Sequence, residues 1–360
     1  DPLAAMAVMP PQDTVGGENN LVKAVMGSQT FTSSGTWLCP SCVHSVTVEC
    51  WGGGGRGGAM DSNGDYGVGG GGGGAYSSSQ ISVTPGVTYT INVGAGSISD
   101  NPGGDSWFQN TSTVMAKGGN SVPTNGRNGA TGGAAGSCVG TTRYSGGNGA
   151  NGTVSGTFYS GGGGGGAGST GNGGDAAGIT GGAGTAQGGG DGANGRSNNG
   201  DGAAGSAAGG GGSGGRKGTG SATRIGGAGA RGQVKITWDN LYLSNFISMD
   251  LGSTYWCPGE TRNVTVTVQN IGLATWSNTN PDVNIGAKWD ADPDYFFRTN
   301  ANNLAPGEQQ TYTISITAPM TLGNNHITFD VVVEGCCWFG NNNGVCGPGN
   351  SVFTSSNISI

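Results

Sequence analysis

Ser45-Val-Thr-Val-Glu-Cys-Trp51 runs directly into Gly52-Gly-Gly-Gly55, and the change of chemistry at that step decides how the chain is read. In the first seven residues Val46, Val48 and Cys50 fall on one side and Ser45, Thr47 and Glu49 on the other, the period-two alternation of a half-buried β-strand. The four glycines after it have no side chains to bury. Outward from this point, residues 29–37, 76–83, 88–93, 106–108 and 113–117 also read as strands, and Gln233-Val-Lys-Ile-Thr-Trp238 supplies a closing one. Strands therefore bracket the glycine.

Glycine makes up 81 of the 360 residues, and with 13 Pro it brings the composition to the edge of the disordered class. Its distribution argues against disorder, because 66 of the 81 lie between Gly52 and Gly232 and only 11 after residue 240. The chain divides into an arm (1–28), a glycine-rich β domain (29–238) and a strand-rich block (239–360). Between Gly118 and Gly232 there are 47 Gly in 115 residues and a single Pro, Pro123, so an ordinary hydrophobic core cannot form there. Gly recurs in broken triplets, at 126/129/132, 146/149/152, 178/181/184 and 226/229/232. Three residues per turn is the period of a polyproline-II-type helix. Collagen needs a strict triplet and abundant Pro, and neither is present. The pattern predicts bundled polyglycine II helices, with triplet Gly facing inward and the interposed Ala, Ser, Asn, Asp and Thr facing out. Flexible linkers are the competing reading; spacers of that kind need no well-formed strands on both sides.

In the last block Val264, Val266 and Val268 share one face, as do Tyr312, Ile314 and Ile316, and likewise Ile327, Phe329, Val331 and Val333. Short strands of this kind, separated by Pro, Gly and Asn turns, predict a β-sandwich. The fold class is all-β.

Two parts of the chain resemble known families. Phe31-Thr-Ser-Ser-Gly-Thr-Trp37, Val46-Thr-Val-Glu-Cys-Trp-Gly-Gly-Gly-Gly55, Tyr89-Thr-Ile-Asn-Val-Gly-Ala-Gly96 and Gly226-Gly-Ala-Gly-Ala-Arg-Gly-Gln-Val-Lys-Ile236, in this order, resemble the glycine-rich domain of phage tail-fibre and bacterial surface proteins. This implies a β scaffold carrying glycine-rich segments, outside the cell or virion, that makes contacts. Cys257-Pro-Gly-Glu260, Ala274-Thr-Trp276, Ile285-Gly-Ala-Lys-Trp289, Leu304-Ala-Pro-Gly-Glu308 and Trp338-Phe339 resemble the immunoglobulin-like four-tryptophan domain. That resemblance implies a packing and recognition module, with Trp276, Trp289 and Trp338 in its core. Trp256 and Trp107 are the candidates for exposed rings that stack on sugars.

The rest of the chain narrows the chemistry. With net charge -7 and no basic run, nucleic acid is not an expected partner. No stretch reaches the ~18–20 apolar residues of a spanning helix. The chain opens on Asp1 and reads as a processed product, and eight Cys (39, 42, 50, 138, 257, 336, 337 and 346) fit disulfides in an oxidising compartment. Cys39 and Cys42 are expected to pair locally, Cys346 with Cys336 or Cys337, and Cys257 with the remaining vicinal Cys. Zinc at Cys39-Pro-Ser-Cys42 lacks a second ligand pair nearby. His44 and His326, the only two His, sit before and on strands and give no catalytic triad, so no enzyme and no cofactor is expected. Asp290, Asp292 and Asp294 have the spacing that opens a calcium loop, without its later Gly and Glu. In the arm, Leu3, Met6, Val8 and Met9 belong to an apolar run ending at Pro10-Pro11, suited either to donation as a strand to a neighbouring subunit or to burial in its own glycine-rich domain. The expected function is that of an exported, extracellular or cell-surface structural subunit that polymerises with itself and contacts cell-surface or glycan ligands. A phage tail-fibre adhesin and an ice-binding protein are the alternatives.

Overall fold

The computed structural model describes residues 26–40, 42–62, 66–153, 159–218, 222–239, 241–279, 282–340 and 352–360. Residues 29–37 form two strands instead of one, Met26–Phe31 and Gly35–Leu38, turning between them. Met26–Phe31 pairs with the closing strand Gln233–Asp239, which in turn pairs with Ser45–Trp51. Tyr76–Ser82 and Thr142–Tyr144 complete that antiparallel sheet, and a second sheet runs Gly35–Leu38, Thr88–Asn92, Ser106–Phe108, Val114–Ala116. Trp37, Val46, Val48, Cys50, Ile91, Phe108, Val234 and Ile236 form the core they share.

The strands do not stop at the glycine. Ser45 faces Ser82 and Trp51 faces Tyr76; beyond them the Gly52, Gly55 and Gly58 amides donate to the carbonyls of Ala75, Gly72 and Gly69, in the same antiparallel register. On the other side Trp51 faces Gln233, and the Gly54 and Gly57 amides donate to Ala230 and Gly227. Only the period changes, from two residues to three. The bundle is therefore a direct continuation of the β scaffold, projecting from the end opposite Ser45 and Asp239.

Inside the bundle, residues 69–75 show the arrangement in full. The amides of Gly69, Gly72 and Ala75 donate to Gly126, Asn120 and Lys117, those of Gly70 and Gly73 to Ala150 and Gly147, and those of Gly71 and Gly74 to Gly212 and Gly209. Their carbonyls accept, with the same period, from residues 52–58, from Ala130 and Gly133, and from Gly164 and Ala167. Each turn thus bonds six neighbouring segments, three as donor and three as acceptor, a hexagonal polyglycine II lattice. None of residues 69–74 has a positive φ, so glycine is required here for close approach. A Cβ on any of them would overlap a backbone carbonyl of a neighbouring segment. A buried, unmade amide bond costs about 1–3 kcal/mol, so with almost no apolar side chains available the lateral bonds decide stability.

The interposed polar residues do more than face water. Asn148 and Asn151 accept from the amides of Gly132 and Gly129, Asp191 and Asn194 from Gly184 and Gly181, and Asn172 and Asp175 from Ser145 and Asn148. At the bundle's rim, where a neighbouring carbonyl is missing, an Asn or Asp three residues from the next one supplies the acceptor.

The last block folds as two facing antiparallel sheets. One runs Ser244–Asp250, Thr261–Asn270, Gln309–Thr317; the other contains Phe297–Asn300, Val283–Trp289, Ile327–Val333 and Cys337–Trp338, with Phe353–Thr354 also paired to Ile327–Val333. The inward residues expected from alternation, among them Val264, Val266, Val268, Tyr312, Ile314, Phe329 and Val331, are all buried between them with Trp256, Trp276 and Trp289.

Candidate functional site

The two units meet where Asp239 leads into Leu241, and a disulfide closes the same junction. Cys42 bonds Cys336, 294 residues away, with their Cα atoms 5.9 Å apart. Cys42 stands at φ 62°, a left-handed conformation uncommon outside glycine, and packs against the sandwich core. The expected local Cys39–Cys42 bridge does not form. Cys39 is instead buried in the scaffold core, its thiol donating to the Val43 carbonyl at 3.3 Å, and burial pushes its pKa up to about 11. Cys257, expected to join a vicinal Cys, is a free thiol. It lies in the loop before Thr261–Asn270, at the end of the sandwich away from residues 334–340, with its amide donating to Glu260. Cys50 and Cys138 are free and buried, and burial raises both thiol pKa values. Cys337 is disulfide-bonded, with its Sγ 3.9 Å from that of Cys42. Cys42, Cys336 and Cys337 form the single group of three metal-ligating side chains among the described residues, and disulfide bonding commits their sulfurs. Cys346 and the arm residues Leu3, Met6, Val8 and Met9 lie outside the described residues.

Asp290, Asp292 and Asp294 do not converge. Asp290 accepts from the His326 amide at 2.8 Å and lies 2.7 Å from its Nδ1, while Asp292 accepts from the Trp289 amide at 3.2 Å. They cap the turn after Val283–Trp289. Trp256 is buried and edge-on to Trp289, so it offers no face to a sugar; Trp107 is half-buried. Trp338, expected in the core, is half-buried on the outer side of its sheet. It stacks on Tyr295 with centroids 4.2 Å apart, with Arg298 over it and Lys288 over Tyr295. Gly286 makes room for it, since a Cβ there would meet the indole at 2.7 Å.

The ends farthest from the junction differ in charge. At the bundle's tip, Tyr66–Gly67 pairs with Arg216–Lys217, Arg127 covers the Tyr66 ring at 4.3 Å, and Arg196 and Arg224 stand on neighbouring segments. Among the described residues Asp61 and Asp201 are the acids beside these five cations. At the far end of the sandwich stand Asp250, Glu260, Asp290, Asp292 and Asp294, with Arg262 paired to Glu260.

Residues 28–239, more than half of the chain, match the family model described as a glycine-rich domain. The chain belongs to this glycine-rich domain family. Comparison with curated proteins finds no match. The matched span closes at the paired strands Met26–Phe31 and Gln233–Asp239 and contains the whole bundle. No helix among the described residues is long and apolar enough to cross a membrane.

Sequence reasoning missed two features of the glycine-rich domain. The Asn and Asp acceptors repeat at 148/151, 172/175 and 191/194, a three-residue spacing that marks them once the triplet glycine beside them is taken into account. The tip cations are dispersed between Arg127 and Arg224; only the antiparallel folding of the segments brings them to one end.

Proposed function

We propose that the chain is an exported structural subunit of an extracellular filament or surface appendage, assembling through donation of its N-terminal strand and through contacts between its two units. The observation that carries this reading is the junction. A stiff glycine lattice and a sandwich are tied by both the chain and the Cys42–Cys336 disulfide, so force applied at one end reaches the other through two covalent paths. A disulfide of this kind persists in oxidising compartments. The sandwich is the immunoglobulin-like four-tryptophan module, a reading supported by Trp276 and Trp289 standing buried at its centre and by the two facing sheets.

Negative-stain microscopy of the purified full chain, kept free of reductant, tests the function. Filaments are expected, and dispersed single particles at every concentration would overturn it. Strand donation is tested by removing residues 1–11. The truncated protein should remain folded and lose assembly; one that assembles as well as the full chain rules the mechanism out.

A further inference from the structure

We infer that copies of this chain bind one another head to tail, the basic tip of the glycine bundle seating on the acidic far end of the sandwich of the next copy. The inference rests on the filament reading and names its longitudinal contact.

Charge is the first support. The chain is acidic overall, at net -7 with only 14 Lys and Arg, yet Arg127, Arg196 and Arg224 gather at one end of the bundle beside Arg216 and Lys217, the last buried with its ammonium donating to the Asp61 and Ser62 carbonyls. Arg127, Arg196 and Arg224 make no ion pair among the described residues: Arg196 donates to the Asp201 carbonyl and Arg224 to Asn199, both neutral acceptors, and Arg127 lies over a ring. No described carboxylate neutralises them. At the opposite end the exposed Asp294 follows Asp290 and Asp292 in one turn; Arg262 is paired to Glu260 and His326 to Asp290, and Asp294 has no ion pair among the described residues. Complementary potentials steer encounter and set orientation.

Exposed apolar side chains lie at the same two places. Tyr255, Met320 and Leu322 are 74 %, 77 % and 73 % exposed on loops at the acidic end, and Ile225 is 60 % exposed beside Arg224 at the basic tip. They add apolar contact area to ends whose orientation the charges set. The two surfaces are different and lie at opposite ends, so the contact is heterologous. Repeated, it continues as an open chain unless its rotation closes a ring.

The test is sedimentation velocity of the full chain at about 20 mM and 500 mM NaCl, since salt shortens the reach of exposed charges to a few ångströms. Self-association should weaken at least tenfold at high salt. Asp294→Lys and Arg127→Glu should each weaken it by a similar factor at low salt, and the chain carrying both should recover it, because the swapped charges again oppose. Neither side chain is part of a core, and recovery in the double variant excludes misfolding as the cause. Association that is indifferent to salt and to both reversals, yet is lost when residues 1–11 are removed, overturns this contact while leaving the filament reading. Absence of association under all conditions overturns both.

Discussion

A single methyl group distinguishes lattice glycines from ordinary ones. At Gly72 a Cβ would fall on the carbonyl of Thr131, a backbone atom with no rotamer to move to, whereas at Gly35 nothing lies within 4 Å. Neither glycine has a positive φ, so the comparison isolates packing. Gly72→Ala should lower stability by several kcal/mol and Gly35→Ala by no more than about 0.5 kcal/mol, read as thermal midpoints. Equal midpoints would remove the close-approach argument. Asp330 gives a second test at this scale. It is 2 % exposed, and burial raises its pKa from 3.8 to about 7, against the pull of the Val331 and Gly340 amides and of Lys288. Between those values the folded chain holds a proton that the unfolded chain releases, so the group's contribution is fully present below about pH 4 and is lost as pH rises towards 7. Asp330→Asn should therefore gain on the parent by a few kcal/mol between pH 4 and pH 8. Denaturant midpoints with the same pH slope in both proteins would contradict this.

Among elements, the rim of the bundle depends on side-chain carbonyls standing in for missing backbone ones. Asn148→Ala leaves the Gly132 amide without its acceptor and should cost about 1–3 kcal/mol. Asn148→Asp keeps an acceptor oxygen and should be nearly neutral. If denaturant melts place both variants at the same stability, the ladder has no energetic role. Much of this level was legible in the sequence. Alternation located Ser45–Trp51 and the inward faces of Thr261–Asn270 and Gln309–Thr317, because a half-buried strand writes its period directly into the side chains. The uninterrupted runs at 69–74 and 161–166 mark segments packed on all sides, and triplet Gly marks those packed on fewer. The disulfide was not legible. CxxC spacing draws Cys39 towards Cys42, but Cys39 points into the scaffold core while Cys42, in its left-handed conformation, meets the sandwich. That division depends on where two folded units touch, which no local pattern encodes. Trp256 and Trp338 exchanged expected places for the same reason: Gly286 opens a flat seat for Trp338 on the outer side of its sheet, and a missing side chain carries no periodicity.

Across the whole molecule, three regions of different cohesion are joined in series: lattice, scaffold and sandwich. In the lattice every turn is held by different neighbours, so exposing one amide means parting several segments at once, and protection from exchange should be cooperative. The junction has less redundancy: among the described residues the Asp239–Leu241 connection, the Cys42–Cys336 bond and the packing of Cys42 on the sandwich core hold it. Replacing Cys336 by Ser should consequently leave both units folded while loosening their attachment. Native-state hydrogen exchange reads this directly. Amides at 69–74 and 161–166 should remain as slow as those of Ser45–Trp51 in both proteins, while those at 42–45 and 241–244 should exchange at least tenfold faster in the variant. Fast exchange through 69–74 in the parent would mean that the glycine segments behave as loose chain. Exchange that rises throughout the sandwich in the variant would mean that the disulfide stabilises the fold of that unit, and that the junction is not where its effect is concentrated.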